Sequence, residues 1–173
     1  MLWLVSRSSE LVVTDAGRRD LIGSTGDITD DDLILRFPNL QLTRDSAAIY
    51  RGRLRRRLLL NRCSSCGVWH DPPSPICPAC WSREVAAAEV QGTGTVFSVI
   101  FLYQGPPTEG VDYAVPYPVV VIELDDQAGL RTTGTVVGSP SAAIRIGCRA
   151  SLEWIERSGV PMPAWRLKTG GRS

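Results

Sequence analysis

The stretch Cys63-Ser-Ser-Cys66-Gly67-Val-Trp-His70-Asp-Pro-Pro-Ser-Pro-Ile-Cys77-Pro78-Ala-Cys80 decides how this chain folds. It holds two Cys-x2-Cys turns separated by ten residues. Each such turn aims two thiolates at one point, and two turns facing each other complete a tetrahedron of sulfur with metal–sulfur bonds of about 2.3 Å. Gly67 follows one turn, where a positive φ lets backbone amides point at sulfur, and Pro78 stiffens the other. Disulfides would need an oxidising compartment, and no secretory signal precedes the motif. A thioredoxin-type centre would need one pair at a helix start rather than two facing pairs. A structural zinc ion is therefore the expected occupant of Cys63, Cys66, Cys77 and Cys80, with iron in the same four-sulfur setting as the alternative. Four thiolates leave no coordination position for water, so such a metal holds structure and does no catalysis.

Working outward, Thr43 or Asp45 can cap a short helix carrying Ala47, Ala48, Ile49, Tyr50 and Leu54, ending near Arg55. Arg57 to Arg62 reads as a strand leading into the first turn of cysteines. Beyond the second, β-branched and aromatic runs predict five strands: Thr93 to Tyr103, Val119 to Leu124, Leu130 to Val137, Arg149 to Trp154, and Trp165 to Leu167. Five short strands favour a small closed barrel, which removes exposed sheet edges. Gly105 to Pro118 carries four prolines and is expected to be a long exposed loop. Before residue 40, Leu2 to Val5 and Leu11 to Val13 are candidate strands. The acids Asp27, Asp30, Asp31 and Asp32 mark a solvated loop or a helix start.

Composition narrows the chemistry. The chain has 173 residues, 43% hydrophobic, enough for a real core, and no run of apolar residues long enough for a membrane span. A soluble, cytoplasmic protein is expected. Its 19 basic and 18 acidic residues nearly balance, although six arginines and no acid lie between residues 51 and 62. The single histidine, His70, is the only imidazole on which a nucleophilic triad or a histidine metal centre could draw, so an autonomous enzyme is not expected. With four cysteines present, His70 is read as a surface residue or one just outside the metal's ligands, and Cys148 as a small buried hydrophobe. Tyr103, Tyr113 and Tyr117 flank or lie within the Pro-rich loop, where aromatics beside prolines anchor a partner or an acyl chain at low entropic cost. Arg51 and Arg55, from the arginine run, are candidates for a phosphate or an acidic partner surface.

The cysteine stretch, followed by Gly92-Thr-Gly94-Thr95-Val96-Phe97-Ser98, then Pro116-Tyr-Pro118-Val-Val-Val-Ile-Glu123, Arg145-Ile-Gly147 and Pro163-Ala-Trp165-Arg166, resembles domain-of-unknown-function family thirty-five. The resemblance spans about residues 42 to 168. It implies a mainly β chain: an N-terminal helical segment, a rubredoxin-like zinc ribbon, then a five-stranded OB-fold barrel. The corresponding division is an N-terminal extension over 1–41, helix plus ribbon over 42–83, the OB-fold over 84–168 and a tail over 169–173. It also implies a non-catalytic accessory subunit of a thiolase-superfamily enzyme, a thiolase or sterol-carrier-type aldolase. The setting would be breakdown of fatty or steroid acyl-CoA, in a hetero-oligomer in which Tyr103, Tyr113, Tyr117, Arg51 and Arg55 contact the partner or acyl-CoA. Trp81 stands where rubredoxins carry glycine, which favours zinc over iron. The alternative is a module for single-stranded nucleic acid, since OB barrels and zinc ribbons both serve that purpose. The balanced charge argues against it.

Overall fold

Thr29 and Asp32 close a reciprocal cap: the Thr29 amide donates to the Asp32 carboxylate at 2.8 Å, and the Asp32 amide donates to the Thr29 hydroxyl at 3.2 Å. The acid cluster thus starts helix α1, Asp30–Arg36, with three aspartates at its positive end. Thr43 caps the next helix, α2, Arg44–Leu54, its amide donating to the Ser46 hydroxyl at 3.0 Å. Both helices belong to a computed structural model that describes residues 27–168; the candidate strands at Leu2 to Val5 and Leu11 to Val13 and the tail at 169–173 lie outside the described residues. No helix among the described residues is long and apolar enough to cross a membrane.

Strands β1, Leu59–Cys63, β2, Trp69–His70, and β3, Val85–Glu89, form a three-stranded sheet in the order β2-β1-β3. A division at residue 84 assigns β3 to the barrel segment, but β3 pairs with β1 along its whole length, from Leu59 opposite Glu89 to Cys63 opposite Val85. Strands β4, Thr93–Leu102, β5, Tyr117–Leu124, β6, Arg131–Val137, β7, Arg149–Arg157, and β8, Val160–Leu167, close a barrel in the order β4-β5-β6-β8-β7. This is the five-stranded barrel that the β-branched runs predict.

Three barrel strands, β5, β7 and β8, run longer than the sequence suggests, and proline explains the early starts of β5 and β8. Trp165 was expected to begin β8, yet the strand starts at Val160 and includes Pro161 and Pro163. Those prolines face β7 on one side only, because the parallel pairing with β6 begins at Ala164. A proline is tolerated in a strand where no second neighbour needs its amide. Pro118 likewise lies near the start of β5, opposite Phe101, so the Pro-rich connection ends at Pro116 instead of Pro118.

A bulge between Val96 and Ser98 turns Phe97 outward. Val96 stays in the core, and Val99 and Phe101 pack against it further along the strand. The barrel core of Val96, Val120, Ile122, Leu124 and Trp165 is continuous with Leu58, Leu60 and Trp69 of the ribbon. A second cluster joins Leu33 and Phe37 to Val160, and the buried Arg36 guanidinium donates to the Gly159 carbonyl at 3.0 Å. The helices are thereby fixed to the β7–β8 turn, with Phe37 and Tyr50 in ring contact at 5.0 Å.

Candidate metal centre and its surroundings

The site is assembled by two turns with the same hydrogen-bond pattern. In the first, the Gly67 amide donates to the Cys63 carbonyl at 2.8 Å and the Cys63 amide to the Val68 carbonyl at 2.9 Å. In the second, the Trp81 amide donates to the Cys77 carbonyl and the Cys77 amide to the Ser82 carbonyl, both at 2.9 Å. Each turn needs a left-handed residue after its second cysteine, and Gly67 and Trp81 take φ of 77° and 61°. A hydroxyl pair, Ser65 with Ser82 at 2.8 Å, links the two turns.

The four sulfurs all lie within 4.8 Å of one another. Cys63 to Cys80 measures 3.7 Å and Cys66 to Cys77 measures 3.6 Å. A tetrahedron with bonds of about 2.3 Å has edges of about 3.8 Å, so the spacing fits a single ion at the centre. Cys63 and Cys77 are fully buried and Cys66 and Cys80 lie at the surface. The proton affinities point the same way. Burial opposes ionisation of Cys63, but the amides of Cys66 and Ser65 and the neighbouring thiols outweigh it and lower its pKa to about 6. The Ser82 amide favours a thiolate at Cys80, yet sharing with Cys66, burial, and the other two thiols push it up to about 12. The cluster gives up its first proton readily and its last only against accumulated charge, which a bound cation relieves. The four cysteines are placed as a set that could hold one metal ion.

The ribbon is tied to the barrel by a residue that no sequence motif marks. Gln127, in the β5–β6 turn, accepts from the Trp69 amide at 2.9 Å and donates to the Trp69 carbonyl at 3.0 Å, a peptide-like clasp across the two sheets. Such a long-range pairing leaves no periodicity to read.

Residues 51–86 match the family described as "ChsH2, rubredoxin-like zinc ribbon domain", and residues 87–154 match "ChsH2, C-terminal OB-fold domain". A solved structure titled "Ltp2-ChsH2(DUF35) aldolase" is 32% identical with a TM-score of 0.65, covering 75% of this chain and 98% of that one. The chain belongs to the DUF35 family. A "Probable enoyl-CoA hydratase alpha subunit" of Thermomonospora curvata is 34% identical over 130 residues, 75% of this chain and 39% of that protein. The "3-oxo-4,17-pregnadiene-20-carboxyl-CoA hydratase alpha subunit" of Mycobacterium tuberculosis is 27% identical over 149 residues, 83% of this chain and 44% of that protein. The DUF35 chain thus spans less than half the length of these curated relatives.

The remaining candidate residues separate in space. Arg51 is paired with Asp30 and donates to the Ile28 carbonyl at 2.8 Å, and Arg55 lies 3.9 Å from Asp27. Arg56 and Arg57 pair with Glu156 at 2.6 Å and Glu89 at 2.8 Å. The basic run is therefore largely neutralised by acids distant in sequence, and it presents no phosphate-binding stripe of the kind single-stranded nucleic acid requires. Tyr113 and Tyr117 form an edge-to-face pair with centroids 6.3 Å apart. Tyr103 is 68% exposed just beyond β4. Ile100 of β4 is also exposed, and Phe97 lies under the Arg131 guanidinium at 3.4 Å. Cys148, remote from the four-sulfur centre, packs against the barrel core. His70 sits in β2 with its Nε2 buried and lacking a hydrogen-bond partner among the described residues.

Trp81 yields a sharp expectation. A left-handed φ costs a residue with a Cβ about 1–2 kcal/mol, and its side chain is 78% exposed, so little packing offsets that cost. Trp81→Gly should raise the stability of the isolated chain by about 1 kcal/mol, a shift of about 2–4 °C in thermal midpoint. Calorimetry on the metal-loaded chain checks it; a lower midpoint would mean that the indole packs more firmly than its exposure implies.

Proposed function

We propose that this DUF35 chain is a non-catalytic subunit that binds structural zinc and docks a thiolase-superfamily enzyme, a thiolase or a sterol-carrier-type aldolase, acting on fatty or steroid acyl-CoA in the cytoplasm. The observation that carries the reading is the closed four-sulfur centre: its donors are all consumed in holding one ion, and the sequence offers a single histidine for any other chemistry. A thiolate-only set suits zinc, whose filled d shell makes it redox-silent and tolerant of tetrahedral geometry. The relatives supply the direction. One is a solved aldolase assembly named for a DUF35 component, and two are named as subunits of acyl-CoA hydratases.

Docking in this reading uses the exposed aromatics. Trp81, Tyr103 and Phe97 are large apolar side chains at 78%, 68% and 44% exposure, and residues of this kind dominate protein interfaces. Tyr113 and Tyr117 present the Pro-rich connection to the partner or to the acyl chain. An exposed tryptophan in a strained backbone conformation is understandable where its side chain is used by another molecule.

Co-expression with a thiolase-superfamily enzyme encoded beside this chain should yield one co-eluting species at micromolar concentration, and clean separation on size exclusion would reject the proposal. In the complex, Trp81→Gly should act in the opposite sense to its effect on the isolated chain. It should weaken association by about tenfold or more while stabilising the subunit. Parallel titrations of wild type and variant by calorimetry measure this, and an unchanged dissociation constant removes Trp81 from the interface.

A further inference from the structure

Between helix α2 and the barrel lies a cavity of about 220 Å³ whose wall carries two arginines, Arg53 and Arg157. Neither forms an ion pair among the described residues, in contrast to Arg51, Arg55, Arg56 and Arg57 nearby in sequence. The Nε of each is buried and has no hydrogen-bond partner there. Both guanidinium groups are held in place by aromatic rings. Arg53 lies over Tyr50 at 4.9 Å, and Arg157 lies 5.8 Å from the Tyr117 centroid while donating to the Tyr117 hydroxyl at 2.9 Å.

We propose that this cavity is a binding site for the oxyanion of a small molecule, a carboxylate or a phosphate, received between Arg53 and Arg157. Buried donors left unmade are expensive, and two cationic ones on the wall of one cavity call for a charged acceptor. Among the described residues, the nearby acids do not supply it. Glu109, near Arg157 in space, accepts from the Ser158 amide at 2.6 Å, and Glu156 pairs with Arg56. Asp71 feels the charges of Arg53 and His70 while burial pushes its carboxyl up, and it forms no ion pair with Arg53 or Arg157 among the described residues. Thr133 and Thr135 also line the wall; the Thr135 hydroxyl already donates to the Pro118 carbonyl at 2.8 Å. The rest of the lining, with Val119, Ile155 and Met162, is apolar, so the ligand carries a short hydrocarbon part beside its charge. This inference goes beyond the docking role and does not depend on which enzyme, if any, the chain binds.

The cavity contains its own reporter. Gly134 lines it, and the Trp165 indole packs against Gly134 so closely that an added Cβ would lie 2.8 Å from Nε1, itself a buried donor with no partner. The full metal-loaded chain, labelled with nitrogen-15, is titrated at low ionic strength with inorganic phosphate in one arm and butyrate in the other. The Nε–H resonances of Arg53 and Arg157 and the Trp165 indole should shift saturably in at least one arm, with a dissociation constant on the order of 1 mM. Preference for butyrate assigns a carboxylate ligand and preference for phosphate assigns a phosphorylated one. Arg53→Gln and Arg157→Gln should each weaken binding by about tenfold or more. The charge-keeping Arg157→Lys should restore part of it, and Arg166→Gln, altering an arginine paired with Glu153 outside the cavity, should leave it unchanged. Circular dichroism and metal content confirm that each variant is folded. Absence of a saturable shift in both arms overturns the proposal, as does binding that survives Arg53→Gln and Arg157→Gln undiminished.

Discussion

Cys77→Ser, or exhaustive chelation of the purified chain, is expected to abolish metal binding and open the ribbon, and this is one of the two largest effects available to a single change. The argument is one of scale. Metal binding by four thiolates contributes on the order of 10 kcal/mol, comparable to the total stability of an ordinary domain at about 5–15 kcal/mol. The ribbon itself offers only Leu58, Leu60, Cys63, Trp69 and Cys77 as buried apolar side chains, too few to order the turns between residues 63 and 82 unaided. Hydrogen exchange should show loss of protection at the amides of Gly67, Trp81 and Cys77, whose partners are carbonyls within the two turns. Acid should imitate the substitution, since protons and metal compete for the same sulfurs. Because Trp69 and Leu60 belong to the same core as the barrel, the barrel should survive with a lowered melting temperature instead of remaining untouched. A chain that retains ribbon protection after quantitative removal of metal would contradict the assignment of these four residues as ligands.

Much of this architecture was legible because its signals are local. Four cysteines must be spaced so that each turn can point two sulfurs inward, and that spacing survives in the linear sequence whatever the rest of the chain does. Helix α2 was readable from Thr43 because a cap acts within one turn. The barrel strands were readable from alternation and β-branching, and their starts were missed where Pro118 disguised β5 and where Pro161 and Pro163 disguised β8. What stayed hidden depends on partners far away in sequence. Nothing around Arg51 or Arg55 reveals that Asp30 and Asp27 will neutralise them, and nothing around Arg53 reveals that it forms no ion pair among the described residues. The Gln127 clasp on Trp69 joins residues in two different sheets, so the junction between ribbon and barrel has no local signature. The functional surface follows the same rule. Composition named the aromatics, while the bulge that turns Phe97 outward and the left-handed backbone at Trp81 are products of the folded chain.

Trp165→Ala is expected to be the most damaging change within the barrel, and the reason lies in how the barrel closes. Trp165 is fully buried on β8, the strand that pairs in parallel with β6 and antiparallel with β7. It lies opposite Val136 on one side and Leu152 on the other. Its ring needs the space that Gly134 leaves by lacking a Cβ, so a small residue on β6 and a large one on β8 form a complementary pair. Truncation to alanine leaves a cavity that such a constrained wall cannot collapse to fill, and losses of about 3–5 kcal/mol are typical for that change. The thermal midpoint should fall by about 6–20 °C, given about 2–4 °C per kcal/mol for a chain of this size. Gly134→Val should be similarly harmful from the opposite side, by overpacking. Combining the two changes should cost less than their sum, since a valine at 134 partly refills what the indole vacates. Thermal denaturation of the metal-loaded single and double variants measures the coupling. Strict additivity would show that the two positions are energetically independent, and that the barrel is closed by its hydrogen-bond ladder and not by this contact.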